Sequence, residues 1–138
     1  ARKGLTESEV LSILNLPASI WAPLFMALDE SLVSRGGYLT FFHDYMRQAV
    51  EKRYLSSQSK KRSCRNTIVT SFLDKSRNID ERRVLEEVPY QLERCELWDR
   101  LSAFVTDVKN FKSLCNDEYR FDMYRYWRGV GAHCPGAK

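Results

Sequence analysis

The chain has 138 residues, 43% hydrophobic, 12% aromatic and 29% charged, with a formal net charge of +4. That supplies a core for one ordinary domain or two small ones and excludes wholesale disorder. No apolar run approaches the ~20 residues of a membrane-spanning helix, and the start, ARKGLTESEV, lacks the apolar stretch of a secretory signal, so a cytoplasmic protein without membrane contact is expected.

In chain order, Thr6 followed by Glu9 forms a capping box: the hydroxyl can accept from a free backbone N–H while the carboxylate reaches back to the cap. A short helix should follow and end near Asn15. Pro17 breaks the chain, and Ser19 can cap a second helix in which Trp21, Leu24, Phe25, Leu28 and Leu32 recur at helical spacing. Pro23 is read as falling in its first turn, where the missing N–H would have had no partner. Two short apolar runs joined through Gly36 and Gly37 then read as a hairpin, because adjacent glycines accept positive φ at both central turn positions. A further helix follows His43.

From Lys52 to Arg65 the sequence KRYLSSQSKKRSCR carries six basic residues and no acid. Such a run can bind nucleic acid or acidic lipid, but its serine content favours a solvated linker, placed at 57–66. Beyond it the pattern is helical throughout. RNTIVTSFLDKS is one helix and DERRVLEEVPYQLERC another, interrupted at Pro89. ELWDRLSAFVTDVKNF keeps a stripe of Leu97, Leu101, Phe104, Val105, Val108 and Phe111, with a turn expected near Asp107 and Asn110. The last helix carries Tyr119, Met123, Tyr126 and Trp127 on one face and is expected to stop at Gly129, leaving 131–138 as a tail in which His133 has no role.

Candidate chemistry is sparse. Cys64, Cys95, Cys115 and Cys134 form no C-x-x-C pair, so reduced, mostly buried thiols are preferred to a zinc site. No phosphate-binding G-x-x-x-x-G-K-[ST] loop is present, and no serine or cysteine sits in a nucleophile motif. Asp29 with Glu30, and Glu86 with Glu87, are adjacent acids that diverge by about 100 degrees on a helix and are read as solvated faces. No enzymatic activity, catalytic residue, metal or cofactor is expected of this chain itself.

The order helix, turn, helix, hairpin, helix outlines a winged helix-turn-helix with the hairpin as wing and its first helix expected to precede Ala1. The stretches ARKGLTESEVLSILNLP and WAPLFMALDESLVSRGGYLTFFHDYMRQAVEKRYL resemble the winged-helix domain that follows the nucleotide-binding core in STAND-class ATPases. The likeness is to NACHT-type members with tetratricopeptide repeats, nephrocystin-like and telomerase-associated proteins among them. VPYQLERCELWDRLSAFVTDVKNFKSL is similar to the helical stretch those proteins place before their repeats, and together the matches run from about Gly4 to Trp127.

The resemblance implies a mainly α chain in four parts: a partial winged-helix domain (1–56), the linker (57–66), a helical array of short paired helices leading into repeats (67–130) and the tail (131–138). It also gives a role to the first of the two histidines, His43. In the family, a Met-His-Asp motif at the wing-to-helix junction reaches the β-phosphate of ADP; the matching residues here are Phe42, His43 and Asp44. A helix N-terminus already favours an anion, so His43 there can donate to phosphate, with Asp44 capping the helix or orienting the ring. The local reading without the resemblance is a histidine packed at a corner.

Three functions follow. The first is a non-catalytic regulatory module of a nucleotide switch, docking on an upstream NTPase core that holds ADP or ATP, supporting downstream helical repeats, and cilium-linked for a nephrocystin-like parent. The second is a helical adaptor that presents Tyr119, Tyr126 and Trp127 to protein partners, although that stripe reads first as core against a following helix. The third, a nucleic-acid-binding winged helix, is disfavoured: SIWAPLFMALDESLV has no Lys or Arg and includes Asp29 and Glu30.

Overall fold

The computed structural model describes residues 1–134, and the expected tail from 135 on lies outside them. The chain divides into two compact units, Ala1–Ser71 and Phe72 onward. The fold is mainly helical, with one two-stranded antiparallel sheet among the described residues.

In the first unit, α1 (Glu7–Leu14) starts at the expected capping box: Glu9 N–H donates to Thr6 Oγ1 at 3.2 Å and Thr6 N–H to Glu9 Oε2 at 2.8 Å. Asn15 ends it in the left-handed region, φ 52°. α2 (Ala18–Ala27) follows at a 119° bend. Its cap is Pro17 rather than Ser19, which moves Pro23 from the first turn into the helix interior. The Ser19 carbonyl is thereby denied its i+4 donor.

β1 (Leu32–Arg35) and β2 (Tyr38–Phe41) pair in the register Leu32 opposite Phe41 and Arg35 opposite Tyr38. Gly36 and Gly37, at φ 58° and 83°, make the expected tight turn. A single bridge, Leu39 N–H to Leu5 O at 2.8 Å, ties the N-terminal segment to this hairpin. α3 (Asp44–Tyr54) contacts β2 and has no buried residue. The stretch 57–66, read as a linker, is helical from Gln58 on, as the start of α4 (Gln58–Leu73); the unit boundary falls later, after Ser71.

In the second unit a 3-10 turn (Lys75–Arg77) leads to α5 (Glu81–Arg94), α6 (Trp98–Thr106), α7 (Val108–Leu114) and α8 (Arg120–His133). α6 packs against α5, α7 and α8, and Val88, Leu92, Leu101, Val105, Leu114, Tyr126 and Val130 are fully buried. Asp107 divides α6 from α7 by accepting from Lys109 N–H and Asn110 N–H, each at 3.0 Å, so the expected turn is there but the helix resumes at once.

Several sequence expectations are corrected here. α5 runs through Pro89 without interruption, since burial of the ring compensates the one lost backbone bond. α8 does not stop at Gly129. That glycine instead admits a neighbour: a Cβ there would lie 2.7 Å from Trp98 Cζ3. Glu86 and Glu87 are not a solvated face but are buried, 7% and 0% exposed. Gln91 Nε2 donates to Glu87 Oε1 at 2.5 Å, and Arg83 Nη1 lies 3.3 Å from Glu86 Oε2, the (i, i+3) and (i, i+4) spacing that lets buried charges pair. Of the cysteines only Cys95 is buried, while Cys64 and Cys115 are exposed.

Candidate functional site

Two places carry the chemistry, one in each unit. In the first, Ser31 O accepts from Phe42 N–H at 2.9 Å, closing the hairpin, and the chain turns into α3 with His43 in the N-cap position. His43 makes no capping bond through its side chain. It is exposed, and its ring packs at the corner between two others: edge-on to Phe42 at 4.4 Å and stacked on Tyr45 at 5.2 Å. Phe42 and Tyr45 are themselves 53% and 64% exposed.

Asp44 neither caps α3 nor orients His43. Its Oδ1 accepts from Arg47 Nη2 at 2.7 Å and Nε at 2.9 Å, and its Oδ2 from Gln48 Nε2 at 2.7 Å. Arg47 also reaches Glu51 Oε1 at 2.8 Å. The hydrogen bonds from Arg47, then Gln48, hold the Asp44 carboxyl below the usual carboxylate range. The first turn of α3 therefore presents free N–H groups and an imidazole, which suit an anion, beside a fixed carboxylate, which opposes one. His43 and Asp44 are adjacent in sequence but act on different neighbours.

In the second unit a groove of about 450 Å³ runs along α8, lined by Glu93 from α5 and by Tyr124, Arg125, Arg128, Gly129 and Ala132, with His133 at its end. Arg125 Nε donates to Glu93 Oε1 at 3.0 Å, fixing one wall. His133 is not in a frayed tail. It lies in the last turn of α8, stacks on Trp98 at 4.2 Å with 8° between the planes, and its Nδ1–H donates to Gly129 O at 2.9 Å.

The aromatic stripe of α8 is core, the role its helical spacing favoured over presentation to a partner. Tyr119, Met123 and Tyr126 are core, 7%, 6% and 1% exposed, whereas Phe121 and Tyr124 are 77% and 69% exposed. The signal was present in the sequence: Phe121, Tyr124, Arg125 and Arg128 recur at helical spacing on the complementary face of the stripe. A half-open groove with aromatic and guanidinium walls can hold an extended or helical polypeptide through apolar contact and charge-assisted hydrogen bonds. Among the described residues no cluster of three or more His, Cys, Asp or Glu is arranged to hold a metal ion.

The chain is 28% identical over 129 residues to a TPR repeat-containing protein of Dictyostelium discoideum. The alignment covers 91% of this chain but 8% of that protein, so the chain corresponds to a small part of its relative. No family model and no solved structure matches the chain.

Proposed function

We propose that this chain is a non-catalytic, cytoplasmic protein-interaction module, a helical piece of a larger assembly protein, with no cofactor of its own. The likeness along nearly its whole length to a TPR repeat-containing protein carries this reading. The groove on α8 supports it, since it sets exposed Tyr124 and Arg128 beside a fixed Glu93–Arg125 pair on packed helices. Tyr and Arg are the side chains that most often dominate protein interfaces. The test is capture of proteins on the immobilised chain, followed by titration of the purified captured protein. Saturable binding at micromolar Kd or tighter, weakened at least tenfold by Tyr124→Ala with Arg128→Glu, supports the reading. Absence of any saturable protein ligand contradicts it.

A second reading is favoured by one observation, the exposed His43 side chain at the N-cap of α3 directly after a hairpin. On this reading the first unit is a winged helix that docks on an upstream NTPase core of the parent and senses ADP through His43, while the second supports downstream repeats. A charge-assisted hydrogen bond from His43 to a phosphate contributes about 1.5–3 kcal/mol, enough to bias a two-state switch. Its test is the nucleotide released on denaturing the full-length parent. Stoichiometric ADP in the wild type, lost in His43→Ala, supports the switch; no nucleotide in either removes it.

A further inference from the structure

The charge of this chain is not shared between its units. The first holds ten Lys and Arg against six Asp and Glu, and the second twelve of each, so the whole excess of +4 belongs to the first. Within that unit, six of the ten basic residues fall between Lys52 and Arg65, and no acid occurs between Glu51 and Asp74. Lys52, Arg53 and Lys60 are exposed and Lys61 is half-buried. Tyr54, between them in sequence, is 60% exposed with the Arg53 guanidinium 5.6 Å from its ring centre.

The arrangement works against the local fold. The first turn of α4 contains no acid and carries Lys60 and Lys61 where the helix macrodipole favours negative charge. An anionic partner at this end of α4 offsets that cost. We infer that the end of α3 and the first half of α4 form a docking surface for an acidic protein segment, whose carboxylates pair with Lys52, Arg53, Lys60 and Lys61 while an apolar side chain packs on Tyr54. This rests on the protein-interaction reading and names the chemistry of one partner.

Two features favour carboxylates on a polypeptide over the phosphates of a nucleic acid. Arg47, the cation that would extend the patch along α3, is already held by Asp44 and Glu51. Asp29 and Glu30 are exposed in the same unit, and Arg35 is the hairpin's only Lys or Arg, so the hairpin and the segment before it add little positive charge for a phosphate backbone to follow. Tyr and Arg are instead enriched at protein interfaces, and the lysines beside this pair fit only a polar rim around it.

The experiment uses the whole chain and fluorescein-labelled poly-L-glutamate of about 20 residues, followed by anisotropy at two salt concentrations. The account predicts salt-sensitive binding that weakens at least tenfold in Lys52→Glu/Arg53→Glu/Lys60→Glu and less than twofold in Lys75→Glu/Lys112→Glu/Arg120→Glu, which changes the net charge equally in the second unit. If the acidic triple variant does not fold, the neutral pair Lys52→Gln/Lys60→Gln gives the same comparison, with about threefold expected. Equal losses in both units overturn the proposal, as does tighter binding to duplex DNA or to phosphatidylserine vesicles than to poly-glutamate at matched salt. If the captured protein binds but poly-glutamate does not, the acidic-partner inference fails alone. If neither binds, the interaction reading fails with it.

Discussion

The two units use apolar side chains differently. α5, with seven charged residues among its fourteen, buries half its length, whereas α2, with none among its ten, buries only Trp21. Burial therefore follows from the neighbours a helix is given, not from its own hydropathy. α5 has α6, α7 and α8 to lie against. In α2 the side chains of Ile20, Leu24 and Met26 remain 55%, 43% and 78% exposed. The second unit should accordingly be the stiffer of the two, and the first the one in which local opening is easy.

The contrast breaks most sharply if the buried network of α5 is cut. Glu87→Ala removes the buried carboxylate that accepts from Gln91 Nε2 and lies 3.9 Å from Arg83 Nη2, and is expected to cost about 3–5 kcal/mol in urea unfolding, with Glu87→Gln well below it. Leu101→Ala, at a fully buried position, should cost about 2–5 kcal/mol by the same measurement. Gly129→Ala drives a methyl into Trp98 and should cost about 1–3 kcal/mol while changing the fluorescence of that indole, which tests the claim that α8 continues because Gly129 makes room.

The first unit offers smaller effects. Thr6→Ala removes one arm of the capping box and should cost about 1 kcal/mol, visible as faster amide exchange in α1. The smallest effect is one of pH. Because Arg47 and Gln48 hold the Asp44 carboxyl below its ordinary range, its contribution to α3 is complete above that range and is lost as pH falls through the lowered value. Helicity of α3 should therefore drop at acid pH in the wild type and lose that dependence in Asp44→Asn. Amides of α6 and α8 that exchange as fast as those of α3 would remove the contrast altogether.

Local signals in the sequence were sufficient where a local interaction decides the structure. The Thr6–Glu9 box, the Gly36–Gly37 turn and the Asp107 break each depend on residues within three positions of one another. Where a distant residue decides, local rules misled. Pro89 and Gly129 read as stops, yet one is buried within α5 and the other is occupied by the ring of Trp98, 31 positions earlier. Glu86 and Glu87 read as solvated because adjacent acids diverge on a helix, a rule that does not register the packing of α6, α7 and α8 against α5. The candidate sites divide in the same way. His43 at the start of α3 was legible from the hairpin before it, but the role of Asp44 was not, since Arg47 and Gln48 compete for its carboxylate. The groove on α8 lies on the face opposite the core stripe, where helical periodicity marks exposure but not concavity.

The most direct test of the interaction reading sets the two units against each other in one binding assay. The purified captured protein is titrated against wild type, against Tyr124→Ala/Arg128→Glu on α8, and against His43→Ala at the α3 junction. The account predicts at least tenfold weaker binding for the α8 variant and an unchanged Kd for His43→Ala. Unchanged affinity in the α8 variant, with binding lost in His43→Ala, would contradict it and move the functional surface to the first unit.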